Sequence, residues 1–172
     1  MRYFTLFNRY FTRIASVCAS IAALLFVLAG AMLTYEVIAR YFFSNPTIWA
    51  SELSQLCLIW GSLLGMSWLL HLQRHIRVDA VAALLPVKLR SKLDTLAMLF
   101  VAILAGVVLI WGFEIFYDSF ERGRTTGSLL NLPSWIAELA VPMGFALLLV
   151  QSLLEMREAW QGRHNTVTGH DI

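Results

Sequence analysis

Glu52 raises the question of chemistry first, because it stands inside the stretch NPTIWASELSQLCLIWG (residues 45–61), which otherwise reads as the start of a membrane helix. A carboxylate in such a place can bind a transported cation, relay a proton, or meet a polar group of another helix. At the bilayer centre it costs about 2.5 to 3.5 kcal/mol on insertion scales, and the penalty falls toward the interface. Glu52 lies some two turns after Asn45, near one boundary, where water and the positive end of a helix favour it. Three roles therefore fit it: a structural or interface contact, a transported-ion site, and simple boundary solvation.

The remaining ionisable groups divide by their local partners. Glu36 has Arg40 one turn later in the favourable acid-before-base order, which predicts a boundary ion pair, and Asp118 with Arg122 repeats the spacing. Glu114 and Glu138 have no such neighbour, so each is expected to face another helix, a subunit or water. WIAEL (residues 135–139) echoes WASEL (residues 49–53), and both follow a proline at a helix start. A Trp at headgroup level with a Glu one turn below thus occurs twice, which suggests a duplicated helical hairpin of the parallel-repeat kind.

Enzyme and cofactor chemistry find no foothold. His71 and His75 lie at a boundary and His164 and His170 in the tail, so no pair faces across spans to hold a haem. Cys18 and Cys57 sit in apolar runs without CxxC spacing, which fits inert thiols rather than redox or zinc sites. There is no phosphate-binding glycine loop, nucleophile elbow or HExxH motif. The reading is of a protein that is no enzyme and has no cofactor or metal of its own.

The elements that must position these groups are membrane helices. Hydrophobic residues make up 59% of the 172 and charged ones only 14%, far from the balance of a soluble domain. Four apolar runs are each long enough to cross a ~30 Å hydrocarbon layer, and backbone in lipid must satisfy itself as helix. The expected fold is an all-α membrane protein forming one integral domain. Its transmembrane helices cover about residues 14–40, 47–71, 92–119 and 133–158, with an interfacial segment at 1–13, an amphipathic arm at 75–90 and a tail at 159–172.

In the first segment Phe4, Phe7 and Phe11 recur at helical spacing with Arg2, Arg9 and Arg13 between them; in the arm Ile76, Ala80 and Leu84 share a face before Pro86. Arg2, Arg9, Arg13, Arg74, Arg77, Lys88, Arg90, Lys92, Arg157 and Arg163 fall on one side of the spans, against Arg40, Arg122 and Arg124 on the other. The positive-inside rule then puts both termini in the cytoplasm. Gly61 and Gly65 form a GxxxG that lets helix backbones approach closely, a packing device that specifies no partner. The basic residues follow topology and form no nucleic-acid stripe.

Taken together, TIWASELSQLCLIWGSLLGMSWLLHLQRHIRVDAVAALLP (residues 47–86) resembles the signature of the small membrane subunit, Q or DctQ-like, of tripartite ATP-independent periplasmic (TRAP) transporters. The positions that carry the likeness are Trp49, Glu52, Trp60, Gly65, His75, Ile76, Val78 and Asp79. Downstream, Thr126, Pro133, Trp135, Pro142 and Gly144 match the family's outer loop and fourth helix. Ser51 departs from the pattern, since many members carry a second acid there, which puts in doubt any role needing paired carboxylates.

The resemblance implies a subunit of the bacterial inner membrane. Its expected partners are a large polytopic membrane subunit, an elevator-type carrier that would hold the sodium coupling, and, transiently, an extracytoplasmic binding protein that delivers an organic acid such as a C4-dicarboxylate or sialic acid. Membrane lipids complete the partners; nucleic acid is not among them. The small subunit is implied to be a scaffold, consistent with spans that lack the Gly- and Pro-broken pattern of a mid-membrane substrate site. The alternative is an autonomous homodimeric proton-coupled exporter using Glu36 or Glu52, disfavoured by the boundary depth of both acids.

Overall fold

The computed structural model describes residues 2–45, 47–73, 87–128 and 130–160, with side chains described for residues 9–45, 47, 49–72, 93, 95–128 and 130–157. His75, Asp79 and most of the expected arm lie outside the described residues. Four helices follow in order: α1 (Arg2–Phe42), α2 (Ile48–Gln73), α3 (Val87–Glu121) and α4 (Ser134–Trp160). All four are long and apolar enough to cross a membrane, over Arg9–Phe42, Trp49–Leu72, Thr95–Glu121 and Ser134–Arg157. The segment with Phe4, Phe7 and Phe11 is carried on α1 without a break, because neither Gly nor Pro interrupts the helix before Gly30.

Helix ends follow local chemistry. Ser44 adopts φ 50° after α1 and lets the Asn45 amide return to the Ala39 carbonyl at 3.1 Å. At the end of α3 Gly123 takes φ 60°; its own amide donates to the Phe120 carbonyl and that of Arg124 to Ser119, the paired bonds of a Schellman stop. α4 contains Pro142, whose missing N–H leaves the carbonyl four residues earlier without its helical donor.

Three helix pairs pack extensively, α1 on α2, α2 on α4 and α4 on α3, while α1 meets α4 only marginally. The helices therefore form an open row, α1–α2–α4–α3, rather than a closed bundle. The marginal helices show why. α1 buries Phe11, Ala15, Ala22, Ala29, Glu36 and Ala39, and α3 buries Ala102, Ala105, Gly112 and Ser119, so that in each helix the buried residues recur at spacings of three, four and seven along one face. A single stripe of heptad spacing gives a helix one seam and so one neighbour. The small residues in those stripes let backbones come close, and the large side chains point away: Val27, Ile110 and Trp111 are all exposed within the chain.

The row is thus two antiparallel hairpins, α1–α2 and α3–α4, joined along a seam between α2 and α4. The connections between α1 and α2 and between α3 and α4 lie at one end, the turn end, and the start of α1 and the end of α4 lie at the other.

Candidate functional site

Polar groups of α2 and α4 meet along the seam between these two helices, at three depths. At the turn end the α3–α4 connection folds into a narrow loop: the Thr126 amide donates to the Leu132 carbonyl at 2.9 Å, and that of Ser134 to Arg124 at 3.0 Å, with Thr125 and Pro133 bridged. Gly127 (φ 64°) and Asn131 (φ 52°) turn the loop back on itself. This brings the Ser128 hydroxyl over α2, where it donates to Oε2 of Glu52 at 2.7 Å. With that hydrogen committed to Glu52, the 2.7 Å contact between Thr126 Oγ1 and Ser128 Oγ runs from Thr126 to Ser128. The loop base is held in turn by Asp118, which pairs with Arg122 at 2.6 Å and Arg124 at 2.9 Å.

Two turns deeper, Trp60 of α2 donates its indole N–H to the carbonyl of Ile136 in α4 at 3.1 Å. Below it Gly144 of α4 lies against Leu63: a Cβ added there would stand 2.8 Å from the Leu63 Cβ and 2.9 Å from its carbonyl oxygen. Only glycine permits this approach.

At the terminal end His71 Nδ1 lies 2.7 Å from Oε1 of Glu155, and Gln151 Nε2 donates to the same oxygen at 2.8 Å. With Glu155 ionised, the carboxylate can only accept, and Nδ1 is then the nitrogen that carries the proton. The 3.2 Å approach of Gln151 Nε2 to Nδ1 is then proximity between two donors that share an acceptor. Gln151 and Glu155 are almost wholly buried, and Trp68 packs beside the imidazole with ring centroids 5.7 Å apart.

The remaining residues singled out in the sequence serve the hairpins. Arg40 pairs with Glu36, which is buried. Trp49 packs on Tyr35 at 5.9 Å, and Trp135 meets Phe120 edge-on at 5.8 Å, so each hairpin closes its turn end with an aromatic pair. Gly61 and Gly65 face Ala22 of α1. Pro133 ends the loop bridge. Glu138, one turn below Trp135, has its Oε2 buried without a hydrogen-bond partner.

Sequence reasoning missed Ser128 and the His71–Gln151–Glu155 cluster, and it singled out Gly144 as a motif position without its contact with Leu63. The i,i+4 polar pair Gln151 and Glu155 near the end of an apolar run was the available signal for the cluster. Among the described residues no group of three His, Cys, Asp or Glu side chains could hold a metal ion.

An arrangement of this kind fastens helices to one another. The family model for the DctQ component of tripartite ATP-independent periplasmic transporters matches residues 29–162, which takes in the α2–α4 seam whole. This chain belongs to the DctQ family. It is a TRAP small permease subunit and a multi-pass inner-membrane protein, of a transporter family rather than an enzyme family.

Two relatives give the distance within that family. The sialic acid TRAP transporter permease protein SiaT of Haemophilus influenzae is 28% identical over 95 residues, 55% of this chain and 15% of that protein. The ectoine TRAP transporter small permease protein TeaB of Halomonas elongata is 26% identical over 142 residues, 83% of this chain and 73% of that protein. The chain thus matches a small part of the first relative and most of the second.

Proposed function

We propose that this DctQ-family chain is the static scaffold of a binding-protein-dependent secondary transporter, associating with a large membrane subunit that carries an organic acid inward with sodium. The observation that carries the reading is the α2–α4 seam. Ser128 on Glu52, Trp60 on Ile136 and the His71–Gln151–Glu155 cluster tie the two hairpins together at three depths. A carrier needs elements that move past one another; a seam fastened at both ends and packed glycine-tight between resists sliding and scissoring alike. The open row adds two broad apolar faces, enough for lipid on one side and a large helical partner on the other.

In this reading both termini and the basic segments face the cytoplasm, and the turn end faces the binding protein. The relatives' names mention sialic acid and ectoine, and both are carboxylates, which fits an organic acid as the transported class. The test is to purify the tagged chain in mild detergent from its own host at native level and identify what co-elutes. A stoichiometric large polytopic protein is the expected result, and a homodimer without one would overturn the reading.

A further inference from the structure

Arg9 and Arg13 stand one turn apart on α1, and both are exposed. Phe11, Ala15 and Ala22 are buried on one face of that helix, so the two arginines project from the opposite face. No acid precedes Glu36 in the sequence, and neither arginine pairs with a carboxylate among the described residues. Like charges at this spacing repel, so the pair weakens its own helix unless an anion sits between them.

The depth of the pair says where that anion lies. Ala22 meets both Gly61 and Gly65 of α2. Following the two antiparallel helices on from this crossing brings Arg13 level with Leu72, where the apolar span of α2 ends, and puts Arg9 one turn further out. That is the headgroup level of the bilayer. Below the pair the same side of α1 continues with Val17 and Leu24, both exposed, about 6 and 17 Å deeper along the axis. The hydrocarbon of one leaflet is about 15 Å thick, half of the ~30 Å layer. The helix therefore presents two unmatched cations at phosphate depth, above apolar surface one leaflet deep.

We propose that Arg9 and Arg13 form a binding site for the phosphate of an anionic phospholipid, whose acyl chain lies along Val17 and Leu24. Arginine suits the task because its planar fork takes two phosphate oxygens at once, and two forks one turn apart clasp a phosphate from both sides. A zwitterionic lipid brings its own cation to the same place and is held less tightly. Lipid phosphates surround α1 at this depth whether or not a protein partner is present, which favours lipid over an acidic side chain of such a partner. The site belongs to the chain alone and does not depend on the scaffold reading.

The test is native mass spectrometry of the full chain, released from micelles carrying phosphatidylglycerol or phosphatidylcholine with the same acyl chains. Wild type is expected to hold phosphatidylglycerol about 30-fold more tightly, the factor that two cations near the membrane surface supply. Arg9→Gln combined with Arg13→Gln should reduce the preference to within about threefold. Arg9→Lys combined with Arg13→Lys keeps both charges and should retain most of it. Glycerol phosphate, which has the anion without the chain, should not displace the lipid; displacement would mark a free-phosphate site and overturn the lipid assignment. Equal retention of the two lipids by wild type overturns the proposal, and so does a preference that survives in the Gln variant. A Gln variant that binds the large subunit less tightly but keeps its lipid preference overturns it in favour of an acidic group on that partner.

Discussion

The Ser128 hydroxyl reaches across from the α3–α4 loop and donates to Oε2 of Glu52 at 2.7 Å, so a carboxylate at the mouth of α2 secures a loop that belongs to the other hairpin. The acid whose possible roles include a structural contact and an ion site takes a hydrogen bond from the opposite hairpin.

Breaking this link should loosen the loop before anything else. Ser128→Ala removes a hydrogen bond to a charged group, for which a loss of about 1.5 to 3 kcal/mol is expected. Because the donor amides of Thr126 and Ser134 close the loop, they should exchange faster with solvent, while amides in the middle of α2 and α4 keep their protection. Hydrogen exchange read by mass spectrometry checks this. In a double-mutant cycle with Glu52→Gln the second change should add little to the first, a coupling of roughly 0.5 to 3 kcal/mol.

Two glycine substitutions should part company. Gly144→Ala drives a methyl to 2.8 Å from the Leu63 Cβ and against its backbone, and overpacking of this kind costs about 1 to 3 kcal/mol. Gly30→Ala meets nothing within 4 Å and replaces a poor helix former with the best, a gain of up to about 1 kcal/mol. Unfolding titrations in mixed micelles should move in opposite directions for the two variants.

Trp60→Phe keeps an aromatic ring and deletes the N–H that reaches the Ile136 carbonyl, so it isolates the middle link. The expected loss is about 1 kcal/mol, the usual net value of a hydrogen bond. A cysteine pair placed across α2 and α4 should also form its disulfide over a wider range of positions than in the wild type.

At the terminal end Glu155→Ala leaves Gln151 Nε2 and His71 Nδ1 without the acceptor they share. Stranding the buried Gln151 donor costs about 1 to 3 kcal/mol, and the half-exposed His71 adds less because water can reach it. His71→Ala should cost less than Glu155→Ala, because Gln151 would still hold the carboxylate. The ranking of unfolding midpoints tests the assignment.

What could be read from residues alone was whatever lies within a helical turn or a helix length. The four spans follow from run length, and the Glu36–Arg40 and Asp118–Arg122 pairs from a spacing of four. The partners of Glu52, Trp60 and His71 stand 76 to 84 residues away, and nothing periodic points to them. They depend on which helix lies beside which, and that order is set by where small residues fall: Ala15, Ala22 and Ala29 bind α1 to one neighbour, while Gly144 opens α4 to Leu63 of α2. The GxxxG at Gly61 was visible as a close-packing device, but only the fold says that it serves α1 rather than the seam. Glu138 was recognised as lacking a local partner; that one of its oxygens is buried needed the packing of α4.

The seam also imposes a schedule on the chain's own assembly. Glu52, Trp60 and His71 leave the ribosome one hairpin ahead of Ser128, Ile136 and Glu155, so the first hairpin reaches the bilayer with its polar groups waiting. Until the second hairpin arrives, each waiting group must borrow water, headgroups or an insertase. The moment α4 docks is when those debts are settled, and a nascent chain halted before Ser134 would be the natural client for whatever quality control patrols the membrane.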